Sequence, residues 1–467
     1  MSTVKVLVEI ETRRESAFEL HKAASASEGE SLRQAEVLAS DLGGLGLDIR
    51  GDFPPVPLFS DDVVLGRSGF DGLRAFTTSE TNSDLPAQSE VIAAEIDRSR
   101  LDDLAARSNI TVWPNSELTL LNCDCEATPA SVATGQEHTF DRARSSGGID
   151  CRPFKPGVSI EVIRELLGVS RIWQDGFRGQ NMIVGIIDEG VNGDVYPVVG
   201  GFSNPNAQRP GTALITSHGS MCAADVLVAA PAAKIYDYPF LGIPNSGGAL
   251  RMFQAVLEQR RIDGTPHLTN NSYGFVGVPP RDFAPRHEIW DMNHPLHRKV
   301  REVIASGAAA FFAAGNCGAN CPSGVCHSSG IGPGRSIHAS NSLAEVITVA
   351  AVNSAHERIG YSSQGPGLYE PNKPDIAAYS HFFANFGPGR PGGLAQPFDN
   401  GTSAATPLAA GVGALLMSAF PELTPNQLKA ILIKGASNLN APGWDPDTGH
   451  GVINAAAAYS FLCRNAS

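Results

Sequence analysis

The sequence predicts an α/β protein: a large domain built on a mainly parallel sheet, preceded by a small α+β module. Two observations carry that reading. From about Gly157 to Cys463, continuous apolar runs (Met182 to Ile187, Ala308 to Ala314, Val346 to Val352) alternate with helical patterns such as Arg298 to Ala305. Runs of that kind are strands buried on both faces, as in a parallel sheet covered by helices. The first hundred or so residues instead mix short strands with helices, and 467 residues supply material for one large core and a smaller one.

In order, Val4 to Ile10 reads as a strand and Ser16 to Ala39 as a polar helical stretch. Val91 to Ile96 is a second strand, Arg98 to Arg107 a short helix with Leu101 and Leu104 inward, and Ile110 to Trp113 a third strand. These make a module over residues 1–114. Residues 115–156, rich in Ser, Thr, Gly, Asp and Cys without periodicity, read as a linker. Residues 157–467 form the large domain, and no internal repeat is visible.

The formal net charge of −13 argues against a nucleic-acid or anionic-membrane surface. The apolar runs Ala305 to Gly315 and Ala404 to Phe420 are short or broken by Gly and Pro, so no membrane span is expected. Charges at Lys5, Glu9, Glu11, Arg13 and Arg14 leave no apolar core for a secretory leader. The expected compartment is the cytoplasm, with leaderless export as the alternative. Eight cysteines are then reduced thiols by default. Cys317, Cys321, Cys326 and His327 lack the paired Cys-x2-Cys spacing of zinc sites, so loop thiols or one local disulfide are favoured over a metal.

The chemistry lies in four separated pieces. Met182 to Ile187 is a buried strand ending at Asp188-Glu189-Gly190, and an acid at a strand's C-terminal end sits where α/β sheets place their sites. Ser217-His218-Gly219-Ser220 opens a helix at the histidine. Ala313-Ala314-Gly315-Asn316 ends another strand with a side-chain amide donor. Gly401-Thr402-Ser403-Ala404-Ala405-Thr406-Pro407 puts a serine at a helix N-terminus, where free N–H groups favour a developing anion. Singly, each is ordinary: an Asp capping a turn, a solvated His, an Asn in a left-handed turn, a Gly-Thr-Ser turn. Together they are the set that acyl transfer requires.

The order Asp188, His218, Asn316, Ser403 and the flanking residues resemble the subtilisin-like serine proteases. Asp188-Glu189-Gly190 stands where that family has Asp-Thr/Ser/Asp-Gly; Ser217-His218-Gly219-Ser220 is similar to Gly-His-Gly-Thr; the serine block is similar to Gly-Thr-Ser-Met-Ala-Thr-Pro. Asn271-Ser272-Tyr273-Gly274, Tyr361 to Gly365 and Lys373 to Ala378 match further landmarks, so the resemblance covers roughly Gly157 to Ala458.

The resemblance implies a three-layer subtilisin-like domain and a serine endopeptidase acting on polypeptides. Ser403 is then the nucleophile, His218 the general base and acid, and Asp188 its orienter. Asn316 and the Ser403 N–H form the oxyanion hole. In subtilisin itself, losing that side-chain donor costs about 10²–10³ in kcat. Ser272, Tyr273 and Gly274 would pair with the substrate backbone, and Ala313, Ala314 and Gly315 would line a roomy, uncharged pocket for apolar or medium-sized residues.

Departures from the family pattern are Ser217, Ser220 and Glu189, a second carboxylate near His218 expected to raise the imidazole pKa and move the activity optimum upward. Cys222, one helical turn from His218, resembles the thiol-sensitive branch that includes proteinase K and the kexins, and is equally readable as a small buried hydrophobe. The first module resembles the family's inhibitory propeptides in outline, implying intramolecular inhibition; a retained regulatory domain is the alternative. No cofactor is required for the chemistry. Calcium sites are common in the family, yet no acidic loop in this sequence maps onto one. A catalytically silent scaffold of the same fold is disfavoured by the intact set. An α/β-hydrolase esterase is excluded by the missing Gly-x-Ser-x-Gly elbow and the Asp-first order.

Overall fold

A computed structural model describes residues 3–11, 47–49, 54–59, 89–121, 149–150, 157–204, 207–240, 244–386, 398–440 and 442–466. The predicted helix over Ser16 to Ala39 lies outside the described residues, as do Cys123, Cys125 and Cys151.

The N-terminal module is a small, mainly antiparallel sheet. It comprises β1 (Thr3–Glu11), β2 (Asp48–Ile49), β3 (Val56–Leu58), β4 (Ser89–Asp97), the short helix α1 (Leu101–Ala105) and β5 (Ile110–Pro114). β1 is central, antiparallel to both β4 and β5, while β2 and β3 pair with the other edge of β4. Because side chains alternate along a strand, β1 serves two cores. Val6, Val8 and Ile10 pack with Ile92, Ala94, Ile96, Leu104 and Ile110 inside the module. Leu7 faces the other way and joins Val91, Trp113 and the large domain's Leu250, Phe253 and Val300 in one continuous apolar cluster.

After β5 the chain enters the large domain as β6 (Thr119–Leu120), and β7 (Ile149–Asp150) supplies an outer pair of its sheet. There follow β8 (Val158–Ser159), α2 (Ile160–Leu167), α3 (Val169–Gln174), β9 (Ile183–Asp188), β10 (Val198–Gly201), α4 (His218–Ala229) and β11 (Lys234–Pro239). Next come α5 (Ser246–Asp263), β12 (Leu268–Asn271), β13 (Tyr273–Gly274), α6 (Pro295–Ala305), β14 (Ala309–Ala313), β15 (Ile347–Val352) and β16 (Arg358–Ile359). The chain closes with β17 (Ile376–Tyr379), β18 (Phe382–Phe383), α7 (Thr402–Ala419), α8 (Pro425–Gly435) and α9 (Ala455–Ala466).

The main sheet has the order β10-β11-β9-β12-β14-β15-β16-β7, with β17 also on β15. Every pairing is parallel except β15 with β16. Helices cover both faces, α4 and α7 on one and α5 and α6 on the other, giving the three layers expected from uninterrupted apolar strands. α7 is the one described helix long and apolar enough to cross a membrane, and it is buried in this core.

The two domains meet through α5 and α6. Asn115 Oδ1 accepts from the N–H of Gly247 (2.9 Å), satisfying a first-turn donor of α5 from outside its own domain. Arg298 of α6 pairs with Glu9 at 2.5 Å, and Glu9 also accepts from Trp113 Nε1 (2.8 Å). Lys299 donates to Pro57 O (2.6 Å) and Phe59 N–H donates to Glu302 (2.9 Å).

Candidate active site

β9 delivers Asp188, fully buried, at its C-terminal end, and α4 begins at His218. Ser217 caps that helix, its Oγ accepting from Ser220 N–H, so the departure from glycine supplies a good cap. His218 Nδ1 lies 2.8 and 3.0 Å from the two Asp188 oxygens, which fix the orientation of the ring. Glu189 does not address the imidazole as its first contact: its carboxylate accepts from the backbone N–H of His218, acting as a second cap. Burial, and then Asp188, push the Glu189 pKa up.

Cys222 sits beneath this pair, with Sγ 3.7 Å from Asp188 Oδ2, 4.0 Å from His218 Nδ1 and 3.6 Å from Ser403 O. Burial, with Asp188 adding, pushes its thiol well above the ordinary range, so it stays protonated. Asp188, His218 and Cys222 are the one group with metal-ligand spacing among the described residues. Their oxygen and nitrogen are already committed to the Asp–His hydrogen bond.

Ser403 is the second residue of α7 and fully buried, after Gly401 with a φ of 79° that a side chain would strain. Pro407 explains the rest of the heptad. It has no N–H, so the Ser403 carbonyl four residues back loses its helical partner. That oxygen is taken up by Ser272 Oγ (3.3 Å) and Cys222 Sγ (3.6 Å), tying the Ser403 turn to the start of β13 and to α4. The Ser403 hydroxyl donates to Ser272 O at 3.4 Å.

Asn316 is held from behind. Its Oδ1 accepts from both the N–H and the Oγ1 of Thr402, each at 2.9 Å, which forces Nδ2 to point forward into the cleft. Ala313, Ala314 and Gly315 lead into it. Ala313 O accepts from Asn341 Nδ2 (2.8 Å), and Ala314 N–H donates to Val349 O (2.9 Å).

The cleft already holds a peptide, which is the chain's own. β6 pairs antiparallel with β13, Tyr273 opposite Leu120 and Gly274 opposite Thr119. Leu121 N–H donates to Ser272 O at 3.0 Å, and Asn316 Nδ2 donates to the Leu121 carbonyl. Leu118 and Leu121 are both buried, and a Cβ on Gly274 would lie 3.5 Å from Leu121 Cδ1. Within 115–156, which the sequence reads as a linker or extended segment, residues 119–120 are extended, but nothing in that reading places them in the cleft. The segment's signal is Leu118-Thr119-Leu120-Leu121, three leucines in four residues inside polar sequence.

Cys317 and Cys326 are joined in a disulfide, and Cys321 is disulfide-bonded as well. The default of reduced thiols therefore fails at this loop, where the local-disulfide alternative holds. With their sulfurs in a bridge, Cys317 and Cys326 are withdrawn from zinc. Cys222 and Cys463 are free thiols.

Comparison with known proteins agrees with this architecture. The model of the subtilase family matches residues 179–451. Subtilisin DY of Bacillus licheniformis is 28% identical over 310 residues, covering 63% of this chain and 96% of that protein. Serine protease AprX of Bacillus subtilis is 26% identical over 311 residues, covering 59% of this chain and 66% of AprX. Among solved structures, fervidolysin from Fervidobacterium pennivorans, a keratinolytic enzyme related to subtilisin, superposes with a TM-score of 0.57 at 17% identity. The match takes in 98% of this chain and spans 61% of fervidolysin's length, and at that identity it shows the fold alone. With more than half of its length matched by the family and an Asp–His pair in place, the chain belongs to the subtilase family and is a serine endopeptidase.

Proposed function

We propose that Ser403 is the nucleophile, His218 its base and acid, Asp188 the orienting carboxylate and Asn316 the oxyanion donor, and that the first bond they cut is the chain's own Leu121–Asn122. The observation that carries this reading is the Leu121 carbonyl, held by Asn316 Nδ2 while its N–H is held by Ser272 O. Ser403 Oγ adds to that carbonyl carbon as its proton passes to His218 Nε2. The C–N bond then breaks, the proton moves to the leaving amine, and a Leu121 acyl-enzyme remains for water to release. Leucine at that place accords with the expected preference for an apolar, medium-sized residue before the cut.

On this reading residues 1–114 are an inhibitory module, the segment to Leu121 its plug, and the rest the mature enzyme. The N-terminal fragment blocks the cleft until it departs. The disulfides beside Asn316 favour an oxidising compartment over the cytoplasm that the N-terminal sequence suggested.

A fluorophosphonate probe on wild type and Ser403→Ala, with intact-mass analysis of the same samples, tests both parts. The expected result is labelling of wild type alone, and in wild type alone a product beginning at Asn122. Processing of Ser403→Ala at the same rate, or failure of module-free wild type to label, overturns the proposal.

A further inference from the structure

Two carboxyl side chains, Asp225 and Asp399, meet in the core between the pieces of the site, and neither has a part in the chemistry above. Both are fully buried. Asp225 lies on α4 seven residues after His218, on the helix face that also carries Cys222. Asp399 lies four residues before Ser403. The Asp225 side chain faces that of Asp399, and its oxygens have no N–H or other hydroxyl as partner among the described residues. Two carboxylates have no donor between them, so a proton on one of them must make the hydrogen bond.

The surroundings decide which one keeps it. Asp399 collects three backbone N–H groups: Ala384 (2.9 Å) and Asn385 (2.7 Å) on Oδ2, and Phe386 (2.6 Å) on Oδ1. These favour its anion, although burial still pushes its pKa up to about 6. Asp225 lacks such donors, and burial together with Asp399 pushes it well above the carboxylate range. The other titratable groups nearby are Cys222 one turn along α4, Asp188 beyond it on β9, and His381, whose N–H donates to Asp399 O (2.9 Å). No lysine or arginine is among the groups shifting either carboxyl.

The contact also joins parts that catalysis needs in register. Asn385, whose N–H Asp399 holds, donates its own Nδ2 to Ile215 O (2.9 Å), three residues before His218. One carboxylate thus gathers the approach to Ser403, the 384–386 segment, α4 and the approach to His218. We propose that Asp225 and Asp399 share one proton and form a positioning pair, which holds the histidine helix against the nucleophile turn and loses that hold when a second proton arrives.

This rests on the catalytic reading of His218 and Ser403, and the test separates the two. Infrared difference spectra of full-length Ser403→Ala protein at pH 8, with and without Asp225→Asn, need no turnover. The expected result is the C=O stretch of a buried protonated acid, removed by Asp225→Asn; its absence overturns the proposal. In the active enzyme, kcat/KM falls in acid with a slope approaching two protons. Asp225→Ala lowers kcat by about tenfold to 10²-fold with KM within about threefold, and Asp225→Asn, which still donates, recovers most of the loss. Equal losses in both variants with an unchanged acid limb, or a one-proton limb in wild type, overturn it. Should Asp225→Ala not fold, the spectra and the wild-type slope decide. Failure of wild-type protein to label with fluorophosphonate would instead count against the catalytic reading.

Discussion

Gly411→Ala tests whether the catalytic geometry is set by how α4 and α7 cross. Gly411 lies eight residues after Ser403, and it faces Val226, eight residues after His218. A Cβ on Gly411 would stand 2.3 Å from the Val226 carbonyl oxygen, whereas real contacts of this kind stay above 3.0 Å. The obstacle is backbone, so no side chain can turn aside, and the two helices must separate by at least about 0.7 Å. A misplacement near 1 Å costs about 10² in rate, so kcat is expected to fall tenfold to 10²-fold with little change in KM. Overpacking of this kind destabilises by about 1–3 kcal/mol, which the better helix propensity of alanine, about 1 kcal/mol, offsets only in part. Gly413→Ala is the control, because its Cβ meets Leu268 Cδ2 and Phe311 Cζ at 3.0 Å, both side-chain ends that can shift. The assay is kcat and KM on a peptide ending in leucine, normalised to fluorophosphonate-titrated sites, beside thermal melts. A Gly411→Ala kcat within about threefold of wild type, or equal damage from Gly413→Ala, would refute the reasoning.

Asn316→Ala should lower kcat by about 10²–10³, the loss known for the corresponding donor of subtilisin, and slow the cut after Leu121; an unchanged burst of processing by mass analysis would count against it. Leu121→Asp puts a charge into an apolar recess and should slow that cut by on the order of 10²-fold, leaving full-length protein on a gel; wild-type speed would show that Leu121 is not the residue read. Glu90, buried on β4, has its pKa raised to about 7 by burial. A carboxyl raised on folding contributes stability that is complete below its ordinary value and lost as pH climbs through 7. Glu90→Gln in the Ser403→Ala background should therefore stabilise the module at pH 8, by about 3 kcal/mol, and hardly at pH 4; melts that shift equally at both would contradict this. A mercurial should inactivate wild type and spare Cys222→Ser, and full activity with Cys222 demonstrably modified would end that idea.

The four candidate blocks were legible because local rules specify each of them. A buried strand ends at Asp188, a helix opens at His218, another strand ends at Asn316, and a Gly-Thr-Ser turn puts Ser403 at a helix N-terminus. What stayed hidden depends on pairing between distant segments. Nothing in the sequence near Ile149 announces an outer strand beside Arg358, since two residues carry no period. Leu118, Leu120 and Leu121 are apolar, but only the pairing with β13 makes this segment a strand. Glu189 interacts with His218 through charge, as expected, and its cap on the His218 backbone N–H was the part not legible. Asp225 and Asp399 each look like surface acids until the fold buries them against one another.

If the chain is cut after Leu121 as proposed, the two-sided burial of β1 would make that cut directional. Before it, Leu7, Val91 and Trp113 have their cover on α5 and α6 by covalent tether, at the high local concentration an intramolecular contact enjoys. After it, dissociation would strip that whole face at once and leave a module with only its inner cluster, Val6 to Ile110, to stand on. A fragment so reduced would open more often, and an open chain is what an endopeptidase digests. On that proposal the first fragment to depart would become a substrate before it could return, and activation would run as a ratchet whose pawl is the hydrophobic face of a single strand.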